Sequence, residues 1–251
     1  MGAGRALAAM TAHRLFVPPS QLHGTSRTRL TEEQARYLVA VLRLRPGAEV
    51  EVFDGAGRRF RAVLLGDELE IGAPLPEDKR RTDVVLVQAL AKGEKMDLVV
   101  QKATELGATR IVPLTAERAV VRLQMDRSAA RVERWRKIAR EASRQCGRAD
   151  VPEIDAPLGW QEVFAVLRKE PERQPLLLDP KENALRLGAA ARGVSRLLLA
   201  VGPEGGFSPG EIAEAAENGF LAVSLGTLVL RTETAGLAAL AVVLHVHGEL
   251  G

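Results

Sequence analysis

The stretch LLLAVGPEGGFSPGEIAEAAENGFLAVSLGTLVLRTETAG, Leu197 to Gly236, constrains the fold more than any other part of the chain. Leu197 to Val201 is an uninterrupted apolar run, the pattern of a strand buried on both faces. It stops at Gly202-Pro203-Glu204-Gly205-Gly206. A glycine costs about 1 kcal/mol relative to alanine in regular structure, so such a cluster marks a turn that needs positive φ or brings backbone close to a ligand. A helix follows, with Ser208 as N-cap, Pro209 at the first helical position, Glu211 closing a capping box and Asn218-Gly219 ending it. A second apolar strand, Phe220 to Leu225, runs into Gly226 and the segment TLVLRTET. Thr232 is expected to cap a last helix that is apolar almost all round, through Ala235, Leu237, Leu240 and Val243, and is therefore buried. Two glycine turns side by side make a ligand site.

Known phosphate-binding loops do not fit. Phe207 stands where a P-loop needs its second glycine and no Lys-Ser follows, while Glu204 takes the place of a glycine in the dinucleotide fingerprint. The turn therefore suits a ligand recognised through backbone polar groups and a flat adenine slot. Arg231 and Glu233 stand beside the start of the buried helix, where a mutual ion pair or a helix cap is the alternative to a role in chemistry.

Upstream, Val84 to Leu90 (VVLVQAL) reads as another buried strand, followed by a helix faced by Met96, Val99, Val100, Ala103 and Leu106 and by a strand from Ile111 to Leu114. This is a β-α-β unit, and PLLLD, Pro175 to Asp179, adds a further buried strand. Before it the grammar differs. From His13 to about Pro76 there is a first strand RLFVPP, a short helix with a Thr31/Gln34 capping box and Ala35, Leu38, Val41 and Leu42 on one face, and a hairpin about Asp54-Gly55. The proline-bearing, charged segment Pro74 to Asp83 separates the two parts. The opening MGAGRALAAM reads as a loose extension, with Met10 a possible alternative start.

No apolar run approaches the roughly 20 residues of a membrane span. One cysteine, Cys146, excludes an internal disulfide and a cysteine-rich zinc site and fits a reducing cytoplasm. The histidines, His13, His23, His245 and His247, form no ligand set, so no metal is expected. Net charge is +3, but it is concentrated: Arg127 to Arg148 holds eight basic residues against two acidic ones. Trp135, Ile138, Ala139, Ala142 and Cys146 supply the apolar stripe of an amphipathic helix, which puts Cys146 inside and the arginines outside, facing a polyanion. Arg43, Arg45, Arg58, Arg59 and Arg61 meet phosphates or simply solvate a sheet face. Lys92, Lys95 and Lys102 read first as a solvated helix face; of the three, Lys92 is the strongest candidate for contact with RNA or a substrate phosphate, because it sits at the carboxyl end of a strand.

Taken in order, HRLFVPP, VLRLRPGAEVEVFDG, KGEKMDLVVQKATELGATRIVPLTAERAVVRL, WRKIAREASRQCGRADVPEI, LAVGPEGGFSPGE and SLGTLVLRTETA make the chain resemble the RsmE-type SPOUT methyltransferases from His13 onward. Tyr37 departs from the pattern, standing where similar sequences often have His. The resemblance implies an α/β fold: an N-terminal PUA-like β-barrel for RNA at residues 13–78, and a C-terminal SPOUT domain at 83–251 with a mostly parallel sheet and a trefoil knot. It implies a cytoplasmic homodimer that uses S-adenosylmethionine to methylate N3 of a uridine in 16S ribosomal RNA of the small subunit. By position, Leu178, Val201, Gly202, Pro203, Glu204, Gly205, Gly206, Leu225, Gly226, Leu228, Leu230 and Thr234 would hold the cofactor. Arg231 and Glu233 would border the methyl group, one steadying an anion or phosphate, the other ordering Arg231 or taking a proton. Arg14, Arg43, Lys92, Arg140, Arg144 and Arg148 would meet RNA. Gly205→Val is expected to abolish cofactor binding while sparing the fold. A non-catalytic RNA-binding or ribosome-assembly protein is the competing class, and a nucleotide-binding α/β enzyme is disfavoured by the failed phosphate motifs.

Overall fold

A computed structural model describes residues 13–22, 26–76, 82–119, 125–182 and 184–251, without the side chains of 125–127. The opening extension with Met10, His23, the centre of the linker at 77–81 and the Arg127 side chain lie outside the described residues. The chain forms two compact units, one running to Lys79 and including Arg140–Val151, the other made of Arg80–Ala139 and Pro152–Gly251.

In the first unit, β1 (Arg14–Phe16), β2 (Arg27–Arg29), β3 (Glu49–Phe53), β4 (Arg59–Leu65) and β5 (Glu68–Leu75) form one sheet in the order β1-β3-β4-β5-β2, with β1 parallel to β3 and the other neighbours antiparallel. Its core is Leu15, Val17, Leu38, Val50, Val52, Ala62, Leu64 and Leu69. A single turn, α1 (Pro19–Leu22), follows β1. The Thr31/Gln34 capping box starts α2 (Glu32–Ala35), but the chain then widens into a π-helical stretch, Arg36–Val41, in which the Leu42 amide reaches the Tyr37 carbonyl at 2.9 Å. This overturns the expected 3.6-residue face: the extra residue per turn rotates Val41 out to 62% exposure while Leu38 stays buried. The β3–β4 turn is longer than Asp54-Gly55, because the buried Asp54 carboxylate accepts the N–H groups of Ala56 and Arg58 and pairs with the Arg58 guanidinium at 2.6 Å.

The second unit is a six-stranded, wholly parallel sheet. Its strands are β6 (Asp83–Ala89), β7 (Arg110–Leu114), β8 (Glu153–Ile154), β9 (Gln174–Leu178), β10 (Arg196–Val201) and β11 (Leu221–Val223), in the order β11-β9-β10-β6-β7-β8. Alternation along β6 sends Val85, Val87 and Ala89 into a core with α5 (Trp160–Lys169), Phe207, Phe220 and Ala215 of α7 (Pro209–Glu217). The alternate residues of β6, Leu86 and Gln88, turn to α8 (Thr232–Val246), which packs on β6, β10, α3 (Lys95–Leu106) and α6 (Leu187–Ala190). Ser208, Pro209 and Glu211 start α7 as the sequence indicates, and the Glu211 carboxylate also takes the Trp160 indole N–H and the Glu117 amide.

The basic helix is α4 (Met125–Cys146), with Val132, Trp135, Ala139 and Ala142 buried. Cys146 is exposed, not buried, because it falls in the last turn beyond the packed stripe. The segment Arg140–Val151 belongs with the first unit for a specific reason. The Arg14 guanidinium donates to the carbonyls of Ser143, Arg144 and Arg148 and to Glu51, capping the carboxyl end of α4, where a cation is favoured by the helix dipole. Among the described residues, no helix is long and apolar enough to cross a membrane.

Candidate functional site

All strands of the second sheet run the same way, so the turns after β9, β10 and β11 open on one edge. There they enclose a cavity of about 300 Å³. Of the residues singled out in the sequence, Leu178, Val201, Gly202, Pro203, Glu204, Gly206, Leu225, Gly226, Leu228, Leu230 and Arg231 line it. Gly205, Thr234 and Glu233 are not in its wall. For Gly205 the reason is visible: an added Cβ would point at Arg118, 3.6 Å from its Cβ, and the Gly205 carbonyl accepts from the Arg118 guanidinium at 3.3 Å. Loss of cofactor binding is therefore expected of Gly202→Val rather than Gly205→Val, because a Cβ at Gly202 would lie 3.3 Å from both the Phe207 ring and the Phe207 amide and force the first turn itself to shift.

The first glycine turn is closed by a hydrogen bond from the Gly206 amide to the Pro203 carbonyl at 2.8 Å, with Gly206 at φ +66°, a conformation in which a side chain is strained. The second turn carries Leu228 and Val229 outward, 78% and 79% exposed. Between the turns lies Thr232. The sequence pattern makes it the cap of α8, but the N-cap is Arg231, without a side-chain cap, and the Thr232 hydroxyl instead donates to the Gly202 carbonyl at 2.6 Å. The buried Gln88 amide donates to that hydroxyl at 2.8 Å. Thr232 and Ala235 line the cavity too, and sequence reasoning missed both.

Beside the cavity a lysine joins two carboxylates. Lys95 Nζ lies 3.1 Å from Glu204 Oε1 and 3.2 Å from Glu233 Oε2. Hydrogen bonds to Glu204 and then Glu233 hold the ammonium above its ordinary pKa against partial desolvation. Burial alone would push the Glu204 carboxyl up. Its own backbone N–H, the Lys95 ammonium and the Lys92 backbone outweigh that and bring it below the ordinary range, so it is ionised at neutral pH. Glu233 is thus taken by Lys95 rather than by Arg231. Lys95, which the sequence ranks behind Lys92, is the lysine that reaches the site, while the Lys92 side chain is exposed.

The basic residues divide. Arg14 and Arg148 are 8% and 5% exposed, the first committed to Glu51 and three carbonyls, the second to Asp150. Their expected contact with RNA is corrected to a structural role, since their donors point into the protein. Arg144 lies 3.6 Å over the Tyr37 ring and pairs with Glu141, and Arg140 sits 6.0 Å from the Phe16 ring. Arg43 is exposed and stands at φ +56°.

Comparison with known proteins gives a consistent answer. Residues 78–244 match the RNA methyltransferase domain family and residues 30–71 the RNA methyltransferase PUA domain family. The protein named ribosomal RNA small subunit methyltransferase E from Synechocystis is 36% identical over 92% of this chain and 76% of its own length. Its namesake from Mycobacterium bovis is 34% identical over 84% of this chain and 83% of its own. The crystal structure of the Neisseria gonorrhoeae ribosomal RNA small subunit methyltransferase E bound to S-adenosyl methionine superposes with a TM-score of 0.83, 32% identity and coverage of 93% of this chain and 97% of that one. A Legionella pneumophila methyltransferase with bound cofactor gives 0.81 and 31%, over 93% of this chain and 97% of its own. With a PUA domain, a parallel methyltransferase domain and these relatives, the chain belongs to the RNA methyltransferase family that includes the ribosomal RNA small subunit methyltransferase E proteins.

Proposed function

We propose that this protein is an S-adenosylmethionine-dependent methyltransferase acting on 16S ribosomal RNA of the small subunit, with N3 of a uridine as the acceptor. The observation that carries the reading is the cavity at the carboxyl edge of the sheet, built from both glycine turns, in a chain 32% identical to a cofactor-bound relative. The cavity suits the cofactor. Its volume is near the lower end for small-molecule pockets, and Leu178, Val201, Val223 and Leu225 offer apolar walls to a flat base. Backbone groups of the two turns supply polar partners, and the ionised Glu204 matches a cationic ligand.

When bound, the cofactor supplies an electrophilic methyl group. Uridine N3 carries a proton and is a poor nucleophile, so that proton must pass to solvent as N3 takes the methyl group from the cofactor's sulfur, and the protein must favour the deprotonated base. Arg231 lines the cavity, which supports a role in steadying the anion that forms. Glu233, 13% exposed and paired with Lys95, acts by fixing Lys95 and through it Glu204.

Arg43, Lys92, Arg140 and Arg144 belong to the proposed RNA contacts, and a surface pair such as Arg144–Glu141 is easily exchanged for a phosphate. Leu228 and Val229, large apolar side chains left in solvent on the second turn, support a homodimer that covers them. The knot implied by the resemblance, formed by the segments from β10 to α8, and a place in the cytoplasm are parts of the same reading. Calorimetric titration with S-adenosylmethionine tests it first: one site per chain is expected, and absence of binding would favour a non-catalytic RNA-binding protein.

A further inference from the structure

We infer that Thr232 is a positioning residue of the cofactor pocket, acting through the Gly202 carbonyl and itself oriented by the buried amide of Gln88. The inference rests on the reading of the cavity as a cofactor site. Its basis is a hydrogen-bond chain whose direction is fixed by chemistry. The Gly202 carbonyl can only accept, so at 2.6 Å the Thr232 hydroxyl proton is spent on it. The same hydroxyl must then accept from Gln88 Nε2 at 2.8 Å. That sets the amide orientation and turns Oε1 the other way, toward Gly236, where it finds no hydrogen-bond partner among the described residues.

Two sequence oddities follow from this chain. Gln88 is fully buried among the apolar residues Val84–Val87 and Ala89 of its strand, where leucine would avoid the desolvation of an amide. Gly236 sits inside a buried helix, where alanine is ordinarily favoured by about 1 kcal/mol. A Cβ at Gly236 would stand 2.6 Å from Gln88 Oε1, so the glycine makes room for the amide, and the amide holds the threonine. At the other end, the pinned carbonyl belongs to the first residue of the turn that carries Pro203, Glu204 and Gly206 into the cavity wall. Neither Gln88 nor Gly236 lines that wall, so both act at one remove.

The test is calorimetric titration of S-adenosylmethionine into the full chain as wild type, Thr232→Val, Thr232→Ser, Gly236→Ala and the Thr232→Val/Gly236→Ala double variant, with melting temperatures measured alongside. Thr232→Val is expected to weaken binding by about tenfold or more, and Thr232→Ser to restore it to within about threefold of wild type. Gly236→Ala should weaken binding although Gly236 does not line the cavity. The double variant should be no weaker than the weaker single one, because both break one chain. Wild-type affinity in Thr232→Val, no rescue by serine, or effects that multiply in the double variant would each overturn the inference. If Thr232→Val does not fold, serine rescue is read against Gly236→Ala, and wild-type affinity in that variant overturns the inference. A wild-type chain that binds no cofactor would instead overturn the reading of the site, and this inference with it.

Discussion

The two ends of the parallel sheet are built on opposite principles. At the amino ends of the strands, charges are matched and locked. Arg173 donates to Asp83 and Glu170 at 2.7 Å each and to the carbonyls of Asp83 and Leu197. Arg196 reaches Glu170 at 2.8 Å, Asp83 at 3.3 Å and also Glu172, and Arg110 holds Asp155 at 2.7 Å. At the carboxyl ends there are glycines, a cavity, exposed Leu228 and Val229, and one lysine between two carboxylates. One end closes the domain while the other leaves backbone groups available. Stability and binding should therefore separate under mutation, each end losing its own property.

The largest effect is expected from Arg173→Ala at the closed end. It strands the buried Leu197 carbonyl and the partly buried Asp83 and Glu170 carboxylates and should destabilise the fold by about 3 kcal/mol in urea unfolding, with cofactor affinity in the remaining folded protein unchanged. Gly202→Val at the open end should do the reverse, weakening S-adenosylmethionine binding by about a hundredfold, or about 2.7 kcal/mol, because its side chain meets Phe207. Comparable losses of affinity from both substitutions would break the comparison.

Asp83→Asn sharpens it through pH. Burial pushes the Asp83 carboxyl up, but hydrogen bonds from Arg173, Thr109 and Arg196 outweigh this and hold it below its ordinary value. A carboxyl depressed in the folded state stabilises above its unfolded pKa of about 3.9 and loses that contribution as pH falls through the lower folded value. The variant should be less stable by roughly 1–2 kcal/mol at pH 7, and the gap to wild type should shrink as pH drops below about 4. A gap that is constant from pH 7 to 3 would remove Asp83 from the account. Smaller still, Lys95→Met should weaken cofactor binding by roughly three- to tenfold because Glu204 loses the ammonium that holds it in place at the cavity wall, and Gly205→Val by less than about threefold. Replacing Arg140 and Arg144 together should lower the salt slope of RNA binding by about one unit for each phosphate that is no longer neutralised.

Much of the open end was legible because glycine carries a conformational cost wherever it is not needed. GPEGG and LGTLVL announced two turns, and the Ser208-Pro209-Glu211 cap fixed the helix between them. The errors share a cause: a residue type with two good explanations. Threonine at a helix start reads as a cap, yet Thr232 spends its hydroxyl on Gly202. Gln88 hides because a strand is recognised by its apolar neighbours, although a lone polar residue in such a run was itself the available signal. Lys92 and Lys95 are three residues apart, and only the helix start puts the second between Glu204 and Glu233. In the first unit, Arg14 and Arg148 looked like free positive charge because their carbonyl and carboxylate partners come from folding, not from local pattern. The π-helical stretch that exposes Val41 leaves no mark in hydrophobic periodicity.

Nucleoside mass spectrometry after incubating the protein with small ribosomal subunits and methyl-labelled S-adenosylmethionine tests the central claim most directly. The label is expected in N3-methyluridine from 16S ribosomal RNA, and to be lost with Gly202→Val but kept with Arg173→Ala where that variant is folded. Label on another nucleoside, or none with a cofactor-binding wild type, would contradict the account.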